Sequence, residues 1–254
     1  MPLAYDRTGS GPPLVLIHGL GSCKEMWRPV VPLLARAREV VTVDLPGFGA
    51  SPAGPQTVDG LADSVTAFAD GLGLDGWHVA GNSMGGGIAL ELATRGRVRS
   101  ACGVSPVGFA NDREAVYARG VLAGTRVMSR ALLPVAAGIV GSRVLRTTLT
   151  SHIVARPWRV PAGDTLLWTR MYARAPSFWP LLRSAPAWRV MPSSCPTTVA
   201  WGERDRLLIF SRQAPRARRV LPAARHVTLT GCGHLPTWDD PEQVAGVLLE
   251  ASAA

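Results

Sequence analysis

The chain predicts an α/β fold, a mostly parallel central sheet flanked by helices, with a helical cap inserted between two of the strands. Three observations predict it. Short apolar, β-rich runs alternate with helical periodicity over residues 1–106 and 191–254, which form the core domain. The stretch 107–190 has no clear strand and carries Trp158, Trp168, Trp179 and Trp188, so it reads as the inserted cap. Finally, "HVAGNSMGGGIALELA" (78–93) puts Ser83 between Gly81 and Gly85 where a strand pattern yields to a helical one.

In chain order, a single edge strand is expected around 3–7. "PPLVLIHG" (12–19) is a buried strand, and "SCKEMWRPVVPLLARA" (22–37) a helix that tolerates its prolines poorly. "EVVTVDLPG" (39–47) is the next strand. "TVDGLADSVTAFADGLGL" (57–74) is a helix with Leu61, Val65, Phe68 and Leu72 at helical spacing. "WHVAGNS" (77–83) is a strand, "MGGGIALELATRG" (84–96) a helix closed by Gly96, and "RSACGVSP" (99–106) a strand. The cap shows helical patterns at 113–130, 132–146 and 164–174. "CPTTVAWGERD" (195–205) and "RHVTLTGCGH" (225–234) are strands separated by an Arg-rich helix near 211–221, and "DPEQVAGVLLEASA" (240–253) is the last helix.

Composition narrows the function classes. At 254 residues, with 47% hydrophobic and 18% charged residues, the chain can bury a full core. The amino end has no basic region leading into an apolar stretch, and no apolar run is long enough for a bilayer, so neither a signal peptide nor stable membrane insertion is expected. Four scattered cysteines without metal-ligand spacing fit a reduced, cytoplasmic protein that holds no metal. The net charge of +9 belongs to one segment, since 107–190 holds twelve Arg against three acids. No nucleic-acid motif accompanies it. The start of a dinucleotide fingerprint at Gly19 and Gly21 fails where Lys24 takes the third glycine's place, and no organic cofactor is expected. Oligomeric state is not legible.

Ser83 follows a strand and precedes a helix, the context of a nucleophile elbow, Gly-x-Ser-x-Gly. The turn is cramped, so only small residues fit two positions before and after, hence Gly81 and Gly85. A serine hydroxyl needs a base, and the base needs a carboxylate to fix its tautomer. In the chain order Ser, acid, His, the base is His234 in "TGCGHLP" at the end of a strand; His226 within that strand and His152 within the cap read as packed or solvated. "WGERDRL" offers Glu203 and Asp205, and Asp205 falls further into the loop. Asp239 and Asp240 read as the N-cap region of the last helix. An oxyanion needs two N–H donors, expected from Met84 and from Leu20 in the "HGLG" turn, where Gly19 and Gly21 let backbone approach a substrate. His18 holds that turn in shape. Cys23 and Cys232 read as buried, inert thiols.

Taken together, "LVLIHGLGSCKEMW", "VDLPGFGAS", "VAGNSMGGGIALELA", "WGERD" and "GCGHLPTWDDPEQV" resemble, in order and spacing, the successive signatures of the α/β-hydrolase fold family. The resemblance implies a Ser83–Asp205–His234 triad, a mobile lid, and Asp44 and Ser51 as shape-keeping residues of a loop near the site. Ser83 stands where family members that open epoxides or remove halides carry aspartate. "GNSMGG" is similar to carbon–carbon bond hydrolases of ring-cleavage products, although Leu235 stands where those typically carry Trp. The function expected is a serine hydrolase cleaving a carboxylic ester or related acyl bond in a small, apolar substrate. The alternatives are a carbon–carbon bond hydrolase, with Arg113, Arg170 or Arg174 binding a carboxylate, and a non-catalytic ligand receptor on the same fold.

Overall fold

The computed structural model describes residues 2–184, 188–193 and 195–253; the carboxyl-terminal part of the expected cap at 185–187 lies outside them. In chain order the core begins with β1 (Tyr5–Thr8), β2 (Pro13–Ile17), α1 (Val31–Leu34), β3 (Glu39–Val43), α2 (Val58–Gly71), β4 (His78–Asn82), α3 (Met84–Thr94) and β5 (Ser100–Val104). Five helices follow: α4 (Asp112–Leu132), α5 (Ala136–Gly141), α6 (Arg143–Thr150), α7 (Ala162–Arg174) and α8 (Phe178–Ser184). The core resumes with β6 (Thr197–Gly202), α9 (Phe210–Val220), β7 (Arg225–Leu229), α10 (Pro236–Asp239) and α11 (Pro241–Ala251).

The seven strands form one sheet in the order β1-β3-β2-β4-β5-β6-β7. Only β1 runs antiparallel, against β3. Side chains alternate across the sheet. Val15, Ile17, Val41 and Val43 pack with Leu61 and Val65 of α2 and Ile88 of α3, while Leu14, Leu16 and Val40 pack with Met26, Trp27, Leu34 and, from α11, Leu248. Both faces are covered, which is why these strands read as continuous apolar runs. From β2 the chain steps to β3 on one side and then to β4 on the other, so the carboxyl ends of β2 and β4 border the point where strand order reverses. Crevices of parallel sheets open at such points.

Two helical expectations need correction. Residues 22–37 are not one helix but a 3₁₀ turn at Lys24–Trp27 followed by α1. Pro29 can supply no N–H to a continuing helix, whereas Pro32 sits in the first turn of α1, where none is needed. The pattern at 132–146 resolves into a 3₁₀ turn at Leu133–Val135, then α5 and α6, with Ser142 accepting from the Leu145 amide at the start of α6. Helix α8 was not anticipated.

The helices between β5 and β6 are fastened to the core by polar contacts. Asn111 and Glu114 form a capping box at the start of α4, and Glu114, only 4% exposed, also pairs with Arg216 of α9 at 2.7 Å. Buried Arg126 of α4 donates to the carbonyls of Tyr172 and Ala175 at the carboxyl end of α7 and lies 5.1 Å from the Phe178 ring centre. Arg28 pairs with Asp164 of α7. Among the described residues no helix is long and apolar enough to cross a membrane.

Buried His78 donates from Nδ1 to Ser100 Oγ at 2.7 Å, because that hydroxyl itself donates to the Ala251 carbonyl. Burial, with Arg38 and Arg99 nearby, lowers its pKa from 6.5 to about 4. The unfolded chain therefore binds this proton first, and stability is lost as pH falls through that window. The melting temperature is expected to drop between pH 6.5 and pH 4, and Gln at position 78 to flatten part of that drop in a pH series of thermal melts.

Candidate active site

Ser83 joins β4 to α3 with φ 58° and ψ −117°. Left-handed backbone at a non-glycine residue costs about 1–3 kcal/mol and persists only where the surroundings enforce it. Here the enforcement is visible. The Ser83 amide donates to the Val104 carbonyl of β5 at 2.9 Å, and its carbonyl accepts from Gly87 and Val107. A Cβ on Gly81 would overlap the Gly85 carbonyl, and one on Gly85 would overlap the Ile17 carbonyl of β2. On Gly19 it would lie 3.1 Å from Ser83 Cβ. Within 77–90 Ser83 alone is not buried, so the turn pushes this one side chain out. Met84 begins α3, where the first amides have no intrahelical partner.

The neighbouring turn is held by buried His18, which bonds the Gly19 carbonyl through Nδ1 at 2.8 Å and accepts from the Leu45 amide at Nε2 at 3.0 Å. Burial lowers its pKa, which keeps it neutral for this pair of bonds. Asp44 accepts from the Lys24 and Ala50 amides, and Ser51 donates to the Asp44 carbonyl.

His234 lies five residues beyond the end of β7 rather than within a strand. Its Nδ1 stands 2.8 Å from Asp205 Oδ2, and both residues are buried. Asp205 Oδ1 accepts from the Leu207 and Leu208 amides at 2.9 Å, so the carboxylate is fixed from both ends. Glu203 instead accepts from the Gly231 amide. Asn82, immediately before Ser83, donates to the His234 carbonyl at 2.9 Å and ties this loop to the serine's strand. Asp239 corrects the capping expectation. Asp240 caps α11, whereas Asp239 is fully buried and accepts from the amides of Gly233, Ala155 and Arg156. Desolvation raises its pKa against the pull of those three donors.

Gly19, Leu20, Ser83 and His234 all line one cavity of about 340 Å³ between the sheet end and the inserted helices. Trp168, Met128 and Tyr172 supply apolar wall, and Thr125, Ser129, Thr165 and Thr169 are among the polar residues that line it. Among the described residues no Asp, Glu, Lys or Arg lines it. Arg113, Arg170 and Arg174 are exposed elsewhere. His152, read as packed or solvated, stands on this wall 3.3 Å from Thr125 Oγ, its pKa lowered by burial and by the nearby imidazole of His234. His226 accepts no such place; its Nε2 bonds the Leu221 carbonyl. Met84 and Ser83 border a second cavity of about 80 Å³. Burial raises the thiols of Cys23 and Cys232, the latter to about 12. No three described His, Cys, Asp or Glu residues group as metal ligands.

The profile of the Alpha/beta hydrolase family matches residues 14–247. The chain belongs to that family. The hydrolase is 31% identical over 205 residues to an epoxide hydrolase, EphH, of Mycobacterium tuberculosis, covering 74% of this chain and 91% of that one. It is 32% identical to the dihydrolipoyllysine-residue acetyltransferase component of the acetoin cleaving system of Cupriavidus necator, covering 91% of this chain and 61% of that protein. Among solved structures, a thermophilic esterase from Thermogutta terrifontis superposes with a TM-score of 0.74 at 25% identity, over 98% of the hydrolase and 92% of the esterase.

Asn82 and Asp239 escaped sequence reasoning because nothing local distinguishes an amide or carboxylate that bonds a distant loop. The glycine geometry predicts a sharp contrast. Gly81→Ala is expected to cost about 3 kcal/mol or more. Gly124→Ala, in open space on α4, should be neutral or stabilising by up to about 1 kcal/mol. Urea denaturation of the two variants measures both.

Proposed function

We propose that this protein is a serine hydrolase that cleaves a carboxylic ester or related acyl bond through a covalent acyl-enzyme, with Ser83 as nucleophile, His234 as base and Asp205 as its partner. One observation carries the reading: Ser83, the only outward side chain of a strained turn, opens on the same cavity as a histidine whose far nitrogen is engaged by a buried carboxylate. With Nδ1–H committed to Asp205, Nε2 is the basic nitrogen, and it takes the Ser83 proton as Oγ attacks the carbonyl carbon. The carboxylate stabilises the resulting imidazolium. Amides of Leu20 and Met84 receive the oxyanion. His234 then gives its proton to the departing alcohol, and the same imidazole activates the water that releases the acid.

The uncharged wall supports a neutral, largely apolar substrate. Within that cavity it also weakens the carbon–carbon cleavage reading, which needs a cation for the substrate's carboxylate; Arg119 and Arg189 border the smaller cavity instead. Ser83 in place of an aspartate nucleophile argues against epoxide opening. On this reading the helices of 107–190 serve as a lid that sets specificity. Four free thiols support a reducing, cytoplasmic setting.

Ser83→Ala is expected to lose roughly 10³-fold or more in kcat on p-nitrophenyl esters. A fluorophosphonate probe should label the unaltered protein at Ser83, located by peptide mass spectrometry. Near-full turnover by the alanine variant, or labelling elsewhere, refutes the assignment.

A further inference from the structure

Ser83 faces two cavities, and they differ in kind. The larger holds His234 on its wall and not Met84; the smaller holds Met84 and not His234. If Ser83 forms an acyl-enzyme as proposed above, the leaving oxygen must lie toward His234, which protonates it. The alcohol side of the ester then occupies the large cavity. The acyl side, on the opposite flank of the tetrahedral carbon, falls in the small one.

That small cavity has an unusual wall. Gln213 of α9 lines it and is 0% exposed. Neither its Nε2 nor its Oε1 has a hydrogen-bond partner among the described residues. A buried carboxamide with both functions unmet is destabilising, and native proteins rarely keep one without a use. The same helix buries Ala214 and Ala217 against an apolar cluster containing Trp201 and Leu208, so an apolar residue at 213 would suit its surroundings. Among the described residues the cations that border the cavity are Arg119 and Arg189, both exposed. The volume of about 80 Å³ is the liquid share of roughly three water molecules, enough for an acyl chain of about three or four heavy atoms.

We propose that Gln213 is a specificity-determining residue. It reads a short acyl group that ends in an uncharged function able both to donate and to accept a hydrogen bond, a hydroxyl or a carboxamide, while the alcohol portion is large and apolar. The carboxamide oxygen accepts from that function and its NH₂ donates to it. Specificity of this kind is strong because the apolar isostere leaves the site's own polar group unpaired.

The test uses 1-naphthyl esters, which hold the alcohol constant. The 3-hydroxypropanoate is compared with its isostere butanoate, and the malonamate with 3-methylbutanoate; octanoate probes length and the succinate half-ester probes charge. The unaltered enzyme is expected to favour the polar member of at least one pair by about tenfold or more in kcat/KM, the equivalent of one hydrogen bond, and to turn octanoate over slowly. Gln213→Leu should bring that ratio to near one through loss on the polar ester. Gln213→Met serves the same purpose if the leucine variant does not fold. A ratio near one in the unaltered enzyme overturns the proposal, as does a preference that survives both substitutions. Preference for the succinate ester retained in Gln213→Leu assigns recognition to the rim arginines and equally overturns it. If no naphthyl ester is cleaved and the fluorophosphonate leaves Ser83 untouched, the acyl-enzyme reading fails and takes this one with it. An active, labelled enzyme with a flat ratio removes this one alone.

Discussion

The rest of the molecule depends on the left-handed turn at Ser83. A serine at φ 58° is held there by the close approach of three backbones: β4 at Gly81, α3 at Gly85 and β2 at Ile17. Neither Gly81 nor Gly85 has room for a Cβ at these approaches. The side-by-side placement of β2 and β4 brings the His18–Gly19–Leu20 turn against the serine, and the β4–β5 pairing anchors the serine's amide. The strain is thus sustained by the sheet itself. Its product is one polar side chain presented beyond the carboxyl ends of the strands while every neighbour along the chain is packed.

Electrostatics in the molecule is arranged by exclusion. The positive segment between 107 and 190 turns most of its arginines outward and buries Arg126 against the carbonyls of Tyr172 and Ala175. The cavity beneath those helices is left to hydroxyls, aromatics and aliphatic groups. A strong basic excess therefore coexists with a main cavity that, among the described residues, offers no Lys or Arg to an anionic substrate. Regional charge and site charge are separate properties, and only the second bears on the reaction.

The fold was largely legible because parallel strands covered on both faces leave apolar runs that periodicity detects, and β2 through β7 all lie where those runs fall. The serine's turn was legible because its steric demand is local: two glycines at fixed spacing. Legibility failed where a residue's role depends on something remote in sequence. Asn82 reaches the His234 carbonyl, 152 positions away, and Asp239 reaches two amides more than eighty positions away. His152 stands on the cavity wall only because α6 ends beside α4. Gln213 looks like one polar residue of an Arg-rich helix until its burial is known. The broken helix at 22–37 is a different failure, in which helical spacing outweighed two prolines whose positions matter more than their number.

The buried carboxylate of Asp239 grips the loop bearing His234 through Gly233 and the root of the inserted helices through Ala155 and Arg156. One side chain thereby shares two allegiances, and the inserted helices are no interchangeable hat. A foreign insertion spliced into this core inherits a stranded charge beneath the histidine unless its own backbone brings two consecutive amides to the same spot. Descent with modification is steered accordingly. New selectivity comes more easily by repainting the inner surface of the resident helices, one side chain at a time, than by trading them whole between cousins.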